Sequence, residues 1–357
     1  MSILPLAFLV TLFGTACCSP VHSSQPRAAL RVEITGMVAG SSIDDVKMRA
    51  VVTNMGQNTV RLLKYQTVLD PDLPTRSFYV TKGEVIVPFT GIELILTVHD
   101  LDESAFVTLG PGEDHATQHD LSSLYDFSEE GSYSFEPITS FLIMPNDGFL
   151  HPASGHLDIE LPARVHTMNL HGMRRGRVKS RATDVCQDSA KASFIDAAYA
   201  EAKSLAAQSS SYVSTHGAGD GTYRKYYHAA STSEVSAVFD RVANENSPSR
   251  ELGCNDPRNS CRRGVLGYTA FPSTNVYFCP PFFSEVSTEN LCSTTNVNQR
   301  NIRGETMLHE LTHATSHTHD LAYGCQSVQK LSDSSAKRNA DSYACFATEV
   351  YSNTVCR

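Results

Sequence analysis

The segment His309-Glu310-Leu311-Thr312-His313 has the residue types and the spacing that metal-assisted hydrolysis requires. On a helix, His309 and His313 lie one turn apart on the same face, so both imidazoles can bind one Zn²⁺ while Glu310 points at the water bound to it. Zinc lowers the pKa of that water, and the carboxylate can take its proton as the water attacks a peptide carbonyl. The spacing therefore predicts a zinc peptidase centre. The alternative interpretation is a pair of surface histidines on an amphipathic helix.

A catalytic zinc needs a third protein ligand, and the residues alone leave that choice open. The candidates downstream of the motif are His317, His319, Asp320 and Glu349. His319 falls where the HExxHxxGxxH pattern of metzincins has its third histidine, but Ser316 replaces the glycine of that pattern. No methionine follows Met307 to form the methionine turn of that class. Glu349 is a candidate for the downstream glutamate of a thermolysin-like site.

The residues that follow the motif resemble one family of fungal enzymes. HELTH is followed by THDLAYG (318–324) and by NADSY (339–343), which is similar to the HExxH and GTxDxxYG pattern of the deuterolysin family of aspzincins. His317 stands where that pattern usually has its glycine. The resemblance extends to Cys254-Asn255-Asp256-Pro257 and to the order of signal, pro-region and mature domain, so it covers essentially the whole chain.

The resemblance implies an activity and a set of roles. Asp320 is the implied third ligand of one Zn²⁺ per catalytic domain, in an endopeptidase that acts on protein or peptide substrates. Tyr323 resembles the motif tyrosine and would donate a hydrogen bond to the oxyanion of the scissile carbonyl. Asp341 would hold a ligand histidine by its other ring nitrogen. The alternatives are ordinary packing beside Gly324 for the tyrosine and a helix-surface position for Asp341.

Helices and a small sheet are the elements expected to position these residues. Ala-rich and apolar spacing predicts helices over residues 189–213, 223–244, 303–315 and 336–351. Residues 263–279 predict a hairpin that turns between Pro272 and Asn275. Its strand from Leu266 to Thr269 is a candidate for pairing with an extended substrate. The C-terminal part is thus expected to be a mainly α, zincin-type catalytic domain with a small antiparallel sheet.

The N-terminal half has a different residue pattern, one that is typical of β-strands. Short runs rich in β-branched and aromatic residues alternate with turn residues between 28 and about 165, which predicts a β-sandwich-like domain. The predicted strands are RVEITGMVAG, MRAVVTNMG, FYVTKGEVIVPF, ELILTVHDL, AFVTLGPGED and GSYSFEPI. The fold class expected from the sequence is therefore two domains, a β domain followed by the mainly α domain.

Two segments set the expected boundaries. An apolar run followed by small residues predicts a secretory signal peptide over 1–19, too short to span a bilayer. The basic stretch HGMRRGRVKSR (171–181) separates the two textures and predicts proteolytic cleavage after Arg174-Arg175 or after Arg181, the alternative being a solvated linker. We therefore expect a propeptide over 20–181 and a catalytic domain over 182–357. The protein is thus expected to be secreted as a zymogen, with its own propeptide as a binding partner of the catalytic domain.

The cysteines indicate an oxidising compartment. The chain has ten cysteines, and the eight that follow the signal boundary all lie in the C-terminal half. The family resemblance implies the pairs Cys186-Cys254, Cys261-Cys279, Cys292-Cys356 and Cys325-Cys345. Because no cysteine lies between Cys18 and Cys186, a propeptide thiolate cannot block the zinc. Steric cover, a histidine or a carboxylate remain as blocking groups, and the propeptide can also be only a folding aid.

Composition excludes other functional classes. The net charge of -9 over 357 residues is mild, and basic residues are scattered outside the one cluster, so the sequence favours neither nucleic acid nor a membrane as partner. We expect a monomer. Two alternatives to a deuterolysin-like enzyme stay open at this point. One is another zincin subclass that uses His319 or Glu349, and the other is a secreted binding protein with an inactive zincin-like site.

Overall fold

The computed structural model describes residues 30–36, 46–127, 129–144, 166–170 and 186–356. The predicted signal peptide and the basic stretch at 171–181, with its candidate cleavage points, lie outside the described residues. We refer to the described residues up to 170 as the N-terminal region and to 186–356 as the C-terminal region.

The N-terminal region consists of short antiparallel strands in three sheets. The first sheet contains β1 (Leu30–Gly36), β2 (Lys47–Asn54) and β8 (Asp114–Asp120). The second sheet contains β3 (Val60–Leu63), β7 (Phe106–Leu109) and β10 (Ile143–Met144). The third sheet contains β4 (Phe78–Lys82), β5 (Val85–Ile86), β9 (Gly131–Pro137) and β11 (His166–Leu170). In β2, Met48, Ala50 and Val52 are buried and alternate with less buried residues, as a strand with one face on a core requires. Phe78, Tyr125, Phe135 and Phe141 belong to the same apolar core.

One strand of the N-terminal half differs from the expectation of a separate β domain. β6 (Ile92–Leu96) forms where the run ELILTVHDL predicts a strand, but it pairs with the C-terminal region. All five of its residues are buried. A nearly continuous apolar strand needs cover on both faces, which the edge of a half-exposed sheet does not provide. The resulting four-stranded sheet has the order β12-β14-β13-β6.

The C-terminal region is mainly helical. Its helices are α1 (Ser189–His216), α2 (Gly221–Tyr227), α3 (Thr232–Ala243), α4 (Arg303–Ser316), α5 (Cys325–Val328), α6 (Asp333–Ala336) and α7 (Ala340–Thr354); its strands are β12 (Leu252–Gly253), β13 (Val265–Ala270) and β14 (Asn275–Phe278). Short 3₁₀ helices occupy Val98–Asp100, Glu103–Ala105, Pro280–Ser284, Thr288–Cys292 and Val297–Gln299. α4 packs among α1, α3 and α7, and it also contacts the sheet at β13, β6 and β14.

Most helix boundaries lie close to those expected from the sequence. The predicted helix at 223–244 is instead two helices, because the chain leaves the helical conformation at His228, whose φ is 51°. The last helix begins at Ala340 rather than 336, after the separate turn of α6. β13 and β14 form the expected antiparallel hairpin.

Four disulfides connect elements of the C-terminal region. They are Cys186–Cys254, Cys261–Cys279, Cys292–Cys356 and Cys325–Cys345, the pairs that the family resemblance implies. The last of them joins α5 to α7. None of the helices in the described part of the chain combines the length and the apolar character that a membrane crossing needs.

Candidate metal centre

Helix α4 carries two histidines and a glutamate into the interior of the molecule. His309, Glu310 and His313 have no exposed surface. Since the two histidines are four residues apart on one helix, their rings lie on the same face, and their Nε2 atoms are 3.1 Å apart. The structure therefore brings together the two imidazoles that the sequence motif predicts.

The loop after α4 brings Asp320 to the same point. The helix ends at His317, which adopts the left-handed conformation with φ 54° at the position where the family motif usually has glycine. The side chain of Asn339 then accepts hydrogen bonds from the backbone N–H groups of Leu321 (2.8 Å) and Ala322 (3.0 Å), and fixes the loop. Asp320 Oδ1 lies 3.0 Å from His309 Nε2, and Oδ2 lies 3.1 Å from Nε2 of His313.

The other ring nitrogen of each histidine already has an acceptor. His309 Nδ1 lies 2.8 Å from Asp341 Oδ1, and His313 Nδ1 lies 2.8 Å from the carbonyl oxygen of Thr318. Both acceptors place the ring proton on Nδ1, so both Nε2 lone pairs face the same point. Asp320 Oδ1 has no hydrogen-bond donor there. Two lone pairs and a buried carboxylate that converge within 4.8 Å fit a bound cation.

Asp341 lies at the start of α7 and is fully buried, unlike a helix-surface aspartate. Arg300 Nη2 donates to its Oδ1 at 2.8 Å, and the Gly324 N–H donates to its Oδ2 at 2.7 Å. Burial opposes the charged form, but the Arg300 guanidinium and the neighbouring His309 hold the pKa of Asp341 well below its usual range. The ionised carboxylate thus anchors both a candidate ligand and the loop that ends at Gly324.

Glu310 lies beside the histidines with one oxygen held and one free of hydrogen bonds. Its Oε2 accepts a hydrogen bond from Thr269 Oγ1 of β13 at 2.6 Å, while its Oε1 has no partner. Burial raises the pKa of Glu310 to about 7, although the neighbouring imidazoles favour the charged form. A carboxyl group with such a pKa can both accept and return a proton near neutrality.

Tyr323 is buried, and its hydroxyl group contacts the N-terminal region rather than the residues beside Gly324. The hydroxyl donates to the carbonyl oxygen of Leu94 in β6 at 2.8 Å and also hydrogen-bonds the side chain of Gln66. Burial raises the pKa of this phenol well above its usual value, which keeps the hydroxyl protonated and able to donate.

The other candidate ligands lie elsewhere. His319 Nδ1 faces Glu93 Oε1 at 3.4 Å instead of the histidine pair. Glu349 pairs with Lys225 Nζ at 2.7 Å and accepts a hydrogen bond from Tyr226. The ring of His317 packs near Phe271, with the ring centroids 5.9 Å apart.

Four residues around the centre were given no role there by the sequence analysis. Gln66, Thr269, Arg300 and Asn339 all orient or contact its groups. Thr269 is a lone buried polar side chain on an otherwise apolar strand, which is a weak signal. Gln66 lies 254 positions before Asp320, so no local spacing relates the two.

Comparison with known proteins gives a consistent set of relatives. The family model of the Deuterolysin metalloprotease (M35) family matches residues 1–354. A neutral protease 2 homolog of Arthroderma gypseum is 28% identical over 351 residues, covering 90% of this chain and 95% of its own. A probable neutral protease 2 homolog of Arthroderma otae is 28% identical over 372 residues, with 96% and 94% covered. A solved zinc peptidase from Grifola frondosa has 25% identity and a TM-score of 0.37, covering 46% of this chain and 97% of its own.

Proposed function

The chain belongs to the Deuterolysin metalloprotease (M35) family, and from that membership we propose an endopeptidase in which His309, His313 and Asp320 hold Zn²⁺ and Glu310 is the general base. It is a zinc metalloprotease. The observation that carries the residue roles is the convergence of two imidazole Nε2 atoms and one carboxylate within 4.8 Å, next to a buried glutamate.

Each side chain has a separate task in hydrolysis. Zinc, when bound, acidifies the attacking water and polarises the scissile carbonyl. Glu310 takes the proton of that water on Oε1, while Thr269 holds its Oε2, and then returns the proton to the departing amine. Asp341 and the Thr318 carbonyl keep the Nδ1 protons of the two histidines in place. Tyr323 donates to the carbonyl oxygen of the substrate once Leu94 no longer accepts its hydroxyl proton.

The substrates are proteins or peptides, and the enzyme is made as a secreted precursor. Residues 1–19 are the signal peptide, 20–181 the propeptide and 182–357 the catalytic domain, which acts as a monomer. Secretion is supported by the four disulfides of the C-terminal region, which need an oxidising compartment to form. The precursor state is supported by β6, which lies on β13 beside the metal centre.

Casein hydrolysis by the purified mature protein tests this function. We expect hydrolysis with one zinc ion per chain, loss of hydrolysis after removal of the metal by a chelator, and recovery on addition of Zn²⁺. The Glu310→Gln variant is the control for a contaminating protease. A protein that binds zinc but cleaves neither casein nor short peptides would instead be a zincin-like binding protein, which would overturn the proposal.

A further inference from the structure

Strand β6 of the N-terminal region completes the catalytic sheet along β13. The two strands are antiparallel, with Leu94 opposite Tyr268 and Glu93 opposite Thr269. The ladder continues beyond both ends, since Thr97 N donates to Gly264 O at 2.7 Å and Phe271 N donates to Gly91 O at 2.9 Å. Without β6, the sheet order leaves β13 as an open edge. An open edge strand is a surface that an extended polypeptide can join by main-chain hydrogen bonds.

The same strand contacts two residues of the loop that carries Asp320. The carbonyl oxygen of Leu94 accepts the Tyr323 hydroxyl proton, and Glu93 lies between Arg76 Nε at 3.0 Å and His319 Nδ1 at 3.4 Å. Glu93 is almost fully buried. The strand therefore lies directly over the metal centre, and its register is fixed by side chains as well as by the ladder.

Gln66 extends from the connection between β3 and β4 into the space between this strand and the metal centre. Its Nε2 lies 3.3 Å from Asp320 Oδ2 and 3.3 Å from Leu94 O, and it also hydrogen-bonds the hydroxyl of Tyr323. Its Oε1 is buried without a partner. The backbone of Gln66 has φ 59°, a conformation that costs a non-glycine residue free energy. A buried amide oxygen without a hydrogen-bond donor, on a strained backbone, marks a residue placed for a contact rather than for stability.

We propose that Gln66 is the group with which the N-terminal region blocks the metal centre, and that its carboxamide occupies the position of the scissile amide while β6 occupies the strand position of the substrate. The inference rests on the proposed function. A side-chain carboxamide has the same carbonyl oxygen and N–H donors as a peptide bond. Its Nε2 lies against Asp320 and Tyr323, so the group fills the space in which the scissile amide of a substrate would otherwise lie. The carboxamide is neutral at any physiological pH, so the block does not depend on a charge at residue 66.

The test uses the full chain with Arg174, Arg175 and Arg181 replaced by alanine to prevent processing, loaded with Co²⁺ or Zn²⁺. Three variants are compared in it: Gln66→Ala, Gln66→Met, which keeps the length of the side chain without its amide, and Gln118→Ala as an exposed control on β8. The readouts are the visible absorption spectrum of Co²⁺, the rate at which a chelator extracts the metal, and cleavage of a short fluorogenic peptide. Far-ultraviolet circular dichroism verifies the fold of each variant.

We expect both Gln66 variants to change the Co²⁺ spectrum and to lose metal to the chelator roughly tenfold faster or more, while the intact chain still cleaves no peptide because β6 remains on β13. The Gln118 variant should behave as the parent. Unchanged spectra and extraction rates in both folded Gln66 variants would overturn the proposal. A change in Gln66→Ala but not in Gln66→Met would also overturn it, since bulk alone would then explain the block.

Failure of the proposed function is a separate result. Residue 66 is absent from the processed enzyme, so mature protein made from the Gln66→Met precursor should cleave casein at the same rate as mature protein from the parent. If neither mature form cleaves any peptide, the proposed function fails, while the Co²⁺ spectra of the precursors still decide the role of Gln66.

Discussion

The ring nitrogens of His309 and His313 have divided roles, and this division decides the chemistry of the centre. Nδ1 of each ring faces an acceptor outside the metal cluster, so each Nε2 is directed inward and is available to a metal. For His309 the acceptor is the carboxylate of Asp341, which Arg300 holds in place. For His313 the acceptor is a backbone carbonyl. The orientation of the two candidate ligands therefore depends on α7 and on the loop after α4, and not on the HExxH helix alone.

At the residue scale, Glu310→Gln should keep the fold and the bound zinc but lower peptide hydrolysis by roughly 10²–10⁴-fold, because the attacking water loses its base. Thr269→Val should cause a smaller loss, about tenfold, since it removes only the hydrogen bond that orients Oε2. Initial rates on a fluorogenic peptide, with zinc measured by mass spectrometry, check both. Near-normal turnover by purified Glu310→Gln enzyme would refute the assignment of the base.

The third ligand can be tested by one pair of variants. Asp320→Ala should lose zinc, because the carboxylate that faces both Nε2 atoms is removed. His319→Ala should retain zinc, since its ring faces Glu93 and Tyr79 of the N-terminal region, which the proposed mature enzyme lacks. Metal content after dialysis is the measurement. If only the His319 variant loses the metal, the centre belongs to another zincin subclass.

Local spacing explains how much of this site could be predicted from the sequence. His309, Glu310 and His313 lie within one helical turn, so helix geometry alone predicts their convergence. Asp320 needed the family resemblance, because the residues between it and α4 fold as a loop whose course depends on Asn339. Gln66 could not be predicted, since its approach to Asp320 exists only after β6 has joined β13.

At the scale of elements, the burial pattern of each strand explains which strands the sequence predicts. β2 alternates buried apolar residues with less buried ones and was predicted from that pattern. β8, with the sequence DHATQHD, buries only Thr117 and His119, so it carries no apolar alternation to recognise. β6 was predicted as a strand, but its pairing with β13 was not, because β13 lies about 170 positions further along the chain.

Two disulfides are expected to contribute differently to stability and to zinc binding, and double variants can distinguish the two effects. Replacing Cys325 and Cys345 by serine should lower the free energy of unfolding of the mature enzyme by about 3 kcal/mol from the entropy of a loop of 20 residues. It should also weaken zinc binding roughly tenfold, because Gly324, which precedes Cys325, donates to Asp341. Guanidinium unfolding and competitive zinc titration are the measurements.

Cys292–Cys356 is the matched comparison. It closes a loop of 64 residues, for which the same entropy relation gives a larger loss, about 4 kcal/mol, but it contacts none of the candidate ligands. Its double serine variant should therefore be less stable and bind zinc as the parent does. Equal zinc affinities in both double variants would show that Cys325–Cys345 does not brace the centre.

The turn after Gln66 contains a titratable group that affects stability. Asp70 accepts hydrogen bonds from the N–H groups of Asp72 and Leu73 on Oδ1, while its Oδ2 has no partner, and burial raises its pKa to about 6. Since the pKa is higher in the folded than in the unfolded chain, the protonated acid favours folding below about pH 4, and this contribution is lost as the pH rises through about 6.

Asp70→Asn should therefore stabilise the uncleaved precursor by about 2–3 kcal/mol at pH 7.5 and leave it unchanged at pH 4, since asparagine is neutral and can accept the same two hydrogen bonds. Denaturant unfolding of the variant and the parent at both pH values, in the inactive Glu310→Gln background, is the measurement. A stabilisation of equal size at both pH values would contradict the titration argument.

At the scale of the whole molecule, the N-terminal and C-terminal regions share an apolar cluster. Leu63, Leu94 and Leu96 of the first region pack in it with Val265 and Tyr323 of the second. Together with the β6–β13 ladder, this cluster keeps the two regions associated independently of the chain between them. Cleavage of that chain therefore does not by itself expose the metal centre, and the N-terminal region must also dissociate or be digested.

The position of the cut follows from the elements on either side of it. The basic stretch at 171–181 lies between Leu170, the last residue of β11, and Cys186, which is bonded to Cys254. Asp188 then caps α1 by accepting the N–H groups of Ala190 and Lys191, so a cut at or before residue 181 leaves the first disulfide and the first helix of the C-terminal region intact.

We therefore predict that the active secreted enzyme begins close to Ala182, as N-terminal sequencing of the active fraction would establish. Arg181→Ala should move the start to near Gly176, because Arg174-Arg175 then becomes the remaining cut point. Replacement of all three arginines should leave the precursor uncut, with β6 still on β13 and without activity on casein. A terminus beyond Asp188 would remove the cap of α1 and contradict the proposed boundary. A single uncut chain in an active culture fluid would refute the precursor itself.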